Sequence, residues 1–275
     1  MIDRPPSLLI APTPFLDESP ASWIQRVCQK HSLPYRTLLG NLGIPPRQDP
    51  DVQLPVDHIC HIGRGTAVPL ARLRLLGNVF RSIRELPRLG RLLSFAPDGE
   101  PSYRVCFACL RTDAIPYLRI QWRFKDWGYC PIHHVPLSER CAECGAPVVA
   151  AKVCIGRTAD GKTADISDCA NCRKPLVGVG PAPNPISTRT SQISAQMSIV
   201  SAVIRGYFYL EGFPERMGLD FLLWLDDKYH LNACELAPSK SINIEDAVAS
   251  SIVRRLLRTY RSASSPSPHI LRLTT

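Results

Sequence analysis

Cys106-Phe-Ala-Cys109, Cys130-Pro-Ile-His133, Cys141-Ala-Glu-Cys144 and Cys169-Ala-Asn-Cys172 follow one another along the stretch 106–172. Two residues between ligands let a tight turn aim two sulfurs, or a sulfur and an imidazole, at one tetrahedral ion about 2.0–2.3 Å away. One such pair arises easily by chance, but four in succession do not. The spacing predicts two zinc ions held one after the other. Cys106, Cys109, Cys130 and His133 would take the first, and Cys141, Cys144, Cys169 and Cys172 the second. In a cross-braced RING arrangement the first and third pairs would share a metal, which needs a much shorter gap after the histidine. Seven residues separate His133 from Cys141, so sequential sites are expected. His134 is the alternative imidazole, although Cys-x-x-His places the ring better. Cys154 has no partner at ligand spacing and reads as a buried thiol.

Working outward, 275 residues at 45% hydrophobic composition allow a real core in one large domain or two small ones. Eleven cysteines would suit a secreted disulfide scaffold, but their regular pairing points to metal in a reducing compartment. Leu8 to Phe15 is too short and too interrupted by Pro12 and Pro14 to be a signal peptide. No apolar run approaches the roughly 20 residues of a membrane helix, so a cytoplasmic, nucleoid-associated protein with no membrane contact is expected. The net charge of +9 suits a polyanionic partner.

Upstream of the cysteines the pattern is helical. Ser19 caps and Pro20 opens a helix whose apolar stripe is Trp23, Ile24, Val27 and Cys28, ending at His31 and Ser32. A second short helix spans roughly 34–42, with Leu38, Leu39 and Leu42 inward and Gly43 as its stop. The pair is helix-turn-helix-like, although most such hairpins are only packing units. Pro45 to Pro55 reads as a polar connection. Gly63 to Leu93 then carries Arg64, Arg72, Arg74, Arg81, Arg84, Arg88 and Arg91 against the single acid Glu85. One or two basic amphipathic helices are predicted there, presenting either a merely solvated face or a phosphate-binding one. Between the first two ligand pairs, Arg111, Arg119, Arg123 and Lys125 alternate with Tyr117, Trp122, Phe124 and Trp127. Those aromatics serve either base stacking or, the better reading for a small module, its core. The candidate nucleic-acid contacts are Arg72, Arg74, Arg81, Arg84, Arg88, Arg91, Arg119 and Arg123.

The run Pro14-x-x-x-Glu18-Ser19-x-x-Ser22-Trp23-x-x-Arg26 resembles the opening of the TniQ family, target-selection proteins of certain bacterial transposons. A second block, Arg104-x-Cys106-x-x-Cys109-Leu110-x-x-Asp113-x-x-Pro116-Tyr117-x-Arg119-x-x-Trp122, is similar to that family's first zinc half-site. Cys130-Pro131-x-His133-x-x-Pro136-Leu137-x-x-x-Cys141-x-x-Cys144-Gly145 is similar to its continuation. Phe107 stands where the family tends to have proline, which leaves the ligands untouched. The resemblance implies an adaptor that connects a target, either DNA itself or an RNA-guided surveillance complex, to an AAA+ ATPase that recruits the transposase. DNA, that ATPase, the guide complex and a second copy of the chain are then the partners to weigh.

Other features compete. Gly156-Arg-Thr-Ala-Asp-Gly161-Lys162-Thr163 fits the Walker A pattern, and Phe221 to Asp227 imitates a Walker B strand. A P-loop, however, needs a following helix whose amides cradle phosphate, and Ala164 to Cys172 has no helical period, so Lys162 is expected to have no nucleotide role. Pro175 to Ser187 reads as a linker. Helices are predicted over 193–210, 219–231 and 243–260, followed by a Ser- and Pro-rich tail. The expected architecture is mainly α with small zinc-stabilised β or knuckle modules. It comprises a helical part over 1–100, a double zinc module over 101–178, a helical domain over 188–261 and a tail over 262–275. Closed four-ligand zincs argue against an enzyme. A stand-alone zinc-dependent DNA-binding regulator and a RING-like adaptor are the alternatives to the bridging role.

Overall fold

The computed structural model of the chain describes residues 10–84, 86, 92–149, 165–176, 186–209 and 216–221. Helix α1 spans Pro20–His31. The Ser19 hydroxyl accepts the Ser22 amide at 3.1 Å, Pro20 fills the first position, and Ser32 ends the helix in the left-handed region. Helix α2, Tyr35–Asn41, follows and stops before Gly43, whose φ of +68° favours glycine. Trp23, Ile24, Val27 and Cys28 of α1 and Leu38, Leu39 and Leu42 of the second segment are all buried, as their spacing predicts.

The polar connection contains structure that its composition conceals. Asp49 caps a single turn, α3 (Pro50–Gln53), and helix α4 (Val56–Ile62) starts behind Pro55. Helix α5 spans Leu70–Asn78 and packs on α4. Among its described residues the arginine-rich stretch therefore holds one nine-residue α-helix and a short 3-10 turn, Arg81–Ile83. Leu73, Leu76, Phe80 and Ile83 supply the buried face. Gly77 permits the close approach of α4 and α5: a methyl placed there would lie 2.9 Å from the Val56 Cα and 2.5 Å from its Cγ2.

Among the described residues two apolar clusters result. One joins α1, α2, α4 and α5 around Trp23, Leu39, Ile59 and Leu76. The other runs from Ala21, Val52 and Phe80 through Tyr103, Trp122 and Cys130 to Ile199, Val200 and Val203. Helix α6 spans Phe107–Thr112, and a second 3-10 turn covers Ile120–Arg123. The aromatic residues of this region are core: Trp122, Phe124 and Trp127 are buried. Downstream, α7 spans Ile186–Arg205 and so begins inside the stretch read as linker, seven residues ahead of the predicted start. After it, β1 (Tyr207–Phe208) pairs antiparallel with β2 (Met217–Gly218). Of the helix predicted over 219–231 only Leu219–Phe221 is described. The helix predicted over 243–260, the tail, Cys154 and the Walker-like motif with Lys162 lie outside the described residues. Among the described residues no helix is long and apolar enough to cross a membrane.

Gly77→Ala inserts its methyl against a backbone atom rather than a flexible tip, so it should destabilise the fold by about 1–3 kcal/mol, read as a lower denaturant midpoint. An unchanged midpoint would show that α4 and α5 do not need this contact.

Candidate metal and nucleic-acid sites

Three of the four ligand pairs adopt one local conformation. The Cys130 amide donates to the Val135 carbonyl and the His134 amide donates back to the Cys130 carbonyl. Cys141 does the same with Ala146 and Gly145, and Cys169 with Lys174 and Arg173. The residue four beyond each first cysteine is left-handed: His134 at φ +53°, Gly145 at +70° and Arg173 at +60°. Each turn is closed by an antiparallel bridge, Tyr129 to Pro136, Arg140 to Pro147 and Asp168 to Pro175. The remaining pair is built on a helix instead, with the Cys106 sulfur at the cap of α6 accepting the Cys109 amide at 3.5 Å.

These turns bring the eight predicted ligands into two groups, Cys106, Cys109, Cys130 with His133, and Cys141, Cys144, Cys169 with Cys172. The grouping is sequential, which excludes the cross-braced arrangement. In the first, Cys109 and Cys130 sulfurs are 3.6 Å apart, and His133 Nδ1 lies 3.5, 3.3 and 3.6 Å from Cys106, Cys109 and Cys130. In the second, Cys141 to Cys172 is 3.8 Å and Cys144 to Cys169 is 3.6 Å. A tetrahedron whose corners lie about 2.0–2.3 Å from its centre has edges of about 3.3–3.8 Å, and a disulfide would bring sulfurs to about 2.05 Å. The groups therefore fit tetrahedral metal sites. His134 sits at the turn position, exposed, outside the group.

The electrostatics agree. Cys106 and Cys130 crowd the Cys109 thiol and push it up, while hydrogen bonds from Cys106 and Cys109 pull Cys130 down to about 3. The Cys130 thiolate is thus favoured at the expense of Cys109, and a divalent cation at the centre would let both ionise. Backbone amides of Asn171 and His133 also reach the sulfurs of Cys169 and Cys130, at 3.4 Å each. The two sites differ in exposure. Cys106, Cys109 and Cys130 are buried, whereas Cys144 is exposed and Cys172 half-buried.

The first site is fastened to the N-terminal helices. Glu18 pairs with Arg119 in an isolated bridge, the Ser19 amide donates to the Leu118 carbonyl at 2.9 Å, and the Ile120 amide donates to Asp17 at 2.8 Å. Glu18, buried, accepts from Arg26 at 2.6 Å and from Ser22 Oγ at 2.9 Å, and Ser22 Oγ accepts the Leu118 amide at 2.9 Å. Burial raises the Glu18 carboxyl, with Arg26 pulling the other way. Arg119 grips Asp113 with two bonds of 2.9 and 3.0 Å and lies over the Tyr117 and Trp122 rings.

Deeper still, Arg123 is fully buried. Its Nη2 donates to Asp49 at 2.6 Å, its Nε lies 3.1 Å from Asp51, and its Nη1 donates to the carbonyls of Ser94 and Ser102. Asp51 also accepts the Ala21 amide at 2.8 Å and the Tyr103 hydroxyl. Neither aspartate is distinguishable in sequence from the polar connection around it.

This geometry corrects the list of nucleic-acid contacts. Arg123 and Arg119 are buried and committed to Asp49, Asp51 and Asp113, so neither faces a phosphate. Arg84 is half-buried and donates to the carbonyls of Val52, Leu54 and Gly77 at 2.9, 2.8 and 2.6 Å. Arg74 and Arg81 are exposed and Arg72 half-buried; Arg88 and Arg91 lie outside the described residues.

Fold and site together define a mainly helical protein carrying tandem Cys/His clusters that could each hold a metal ion. Residues 9–137, nearly half of the chain, match the TniQ family model, so this region is similar to that family. That similarity points to transposition-associated proteins of the target-selection type. The match includes the first metal group and ends before the second. A comparison with curated proteins finds no match.

Metal analysis of the purified chain should return two tightly held zinc ions, one of which is lost in Cys144→Ser; fewer than two in the parent protein overturns the assignment. Chelation should unfold the region, because the ligands converge only on the ion. A second expectation concerns Asp49, whose carboxyl burial pushes up to about 6 against the pull of Arg123 and with help from Asp51. A raised carboxyl holds its proton more tightly in the folded chain, so its stabilisation is complete below about pH 4 and lost as pH rises through about 6. The stability of the parent relative to Asp49→Asn, measured zinc-saturated, should therefore fall by about 1 kcal/mol between pH 5 and pH 7. A difference independent of pH would refute the assignment.

Proposed function

We propose that this protein is a non-catalytic adaptor that selects DNA targets for transposition, holding target DNA or an RNA-guided target complex and presenting it to an AAA+ ATPase regulator. The observation that carries the reading is the family match over 9–137, whose two motif blocks meet in space at Glu18, Ser22, Leu118 and Arg119. Zinc is the ion proposed for both groups, because three thiolates with an imidazole, or four thiolates, in tetrahedral disposition suit it best. With four protein ligands around each ion no position is left for a reacting water, so the metals set shape rather than perform chemistry. ATP hydrolysis and strand transfer then belong to partners. The exposed Arg64 and Arg81 supply cations for phosphate, in keeping with a net charge of +9. The setting is the cytoplasm, at the nucleoid.

Insertion sites mapped genome-wide, with and without this protein in the presence of its ATPase, test the role. Its removal should abolish or redistribute insertions, and an unchanged distribution and frequency would refute bridging. Redistribution that persists without the ATPase would favour a stand-alone DNA-binding regulator.

A further inference from the structure

Helix α5 has an outward face that no described element covers. Leu73, Leu76 and Gly77 point inward, and the opposite stripe, Ala71, Arg74, Leu75 and Asn78, is wholly exposed at the i, i+3, i+4, i+7 spacing of one helix face. Leu75 is 50% exposed and Leu70 at the helix start 49%. Nothing acidic occurs between Gly63 and Arg84, and Arg64 and Arg81 stand exposed before and after the helix, with Arg72 half-buried on its flank. The helix is also firmly held. Gly77 abuts Val56, and Arg84 ties the Gly77 carbonyl to those of Val52 and Leu54.

Resting on the target-selection reading above, we propose that α5 is the helix that reads sequence in the major groove of duplex DNA. The stripe carries the side chains suited to base edges: Arg74 for the O6 and N7 of guanine, Asn78 for the N6 and N7 of adenine, Ala71 and Leu75 for thymine methyls. At about 1.5 Å per residue it runs about 10 Å, the rise of about three base pairs. Arg64, Arg72 and Arg81 are placed for the phosphates on either side, which position the helix without specifying sequence. Charge complementarity fixes the occupant as a polyanion, and an accessible, firmly seated helix suits the wide groove of B-form DNA rather than the deep, narrow one of an RNA duplex. The competing helix α2 exposes Arg36, Thr37, Gly40 and Asn41 but holds out no large apolar group, since Tyr35, Leu38 and Leu39 all face inward.

The test uses the full-length, zinc-loaded chain. A preferred site is selected from random duplex DNA, and binding to it and to unselected duplex is followed by fluorescence anisotropy across a salt series. Arg74→Ala and Asn78→Ala should each weaken the preferred site about tenfold or more and relax preference at one or two neighbouring base pairs, leaving unselected duplex within about threefold. Arg74→Lys keeps the charge and loses the two-pronged bond, so preference should relax while the salt slope stays. Arg81→Ala should weaken all duplexes alike and reduce the salt slope by about one. Failure to select any site, preference that survives Arg74→Ala and Asn78→Ala, preference lost instead in Arg36→Ala, or tighter binding to RNA would each overturn the proposal. Redirected insertion that ignores changes on α5 would reject this helix while leaving the bridging role standing.

Discussion

The Arg123 guanidinium, buried among two carboxylates and two carbonyls, is the interaction on which the rest of the structure depends. It reaches Asp49 and Asp51 at the start of α3, and the Ser94 and Ser102 carbonyls that lead into the first metal group. Asp51 passes the connection on to the first turn of α1 through the Ala21 amide and to Tyr103. Such a cluster is costly to desolvate and holds only because nearly every donor and acceptor is used, so its parts fix one another's positions closely. Three segments distant in sequence are thereby set in one geometry. Apolar packing alone would do this less specifically, since hydrophobic contact has no preferred direction.

The metal modules obey a simpler rule. Three of the four ligand pairs leave their turn through a left-handed residue, at His134, Gly145 and Arg173, whereas the pair at the start of α6 is shaped by the helix instead. Only one of the three is glycine. The histidine and arginine hold a conformation that costs an L-residue about 1–2 kcal/mol, which ligation of a bound ion would offset. A metal held here would support backbone strain as well as close a small core.

Much of this was legible beforehand. The ligand grouping followed from pair spacing and the long gap after His133, and α1 and α2 from a serine-proline start, an apolar stripe and a glycine stop. The arginines were harder. Arg119, Arg123 and Arg84 look identical in sequence to Arg74 and Arg81, yet the first three are consumed by carboxylates and carbonyls that arrive from 6 to 74 residues away. Local pattern carries no record of such partners. For the same reason Asp49 and Asp51 passed as ordinary residues of a polar connection, because a short turn between prolines has no periodicity to reveal an inward side. Helix α7 began early because Ile186 to Gln192 is polar and lacks the apolar period used to find it.

The meeting of Glu18, Ser22 and Arg26 with Leu118 and Arg119 bears on how sequences of this kind are compared. The two motif blocks read as separate signatures a hundred residues apart, but each completes the hydrogen bonding of the other. A substitution in one block therefore alters the fitness of residues in the other, and Asp49, Asp51 and Arg123 are bound by the same dependence through charge. Among descendants these positions are expected to change jointly or to stay fixed together. The unit of inheritance is then the joint between the blocks, with the aspartate pair as a third member that neither block contains.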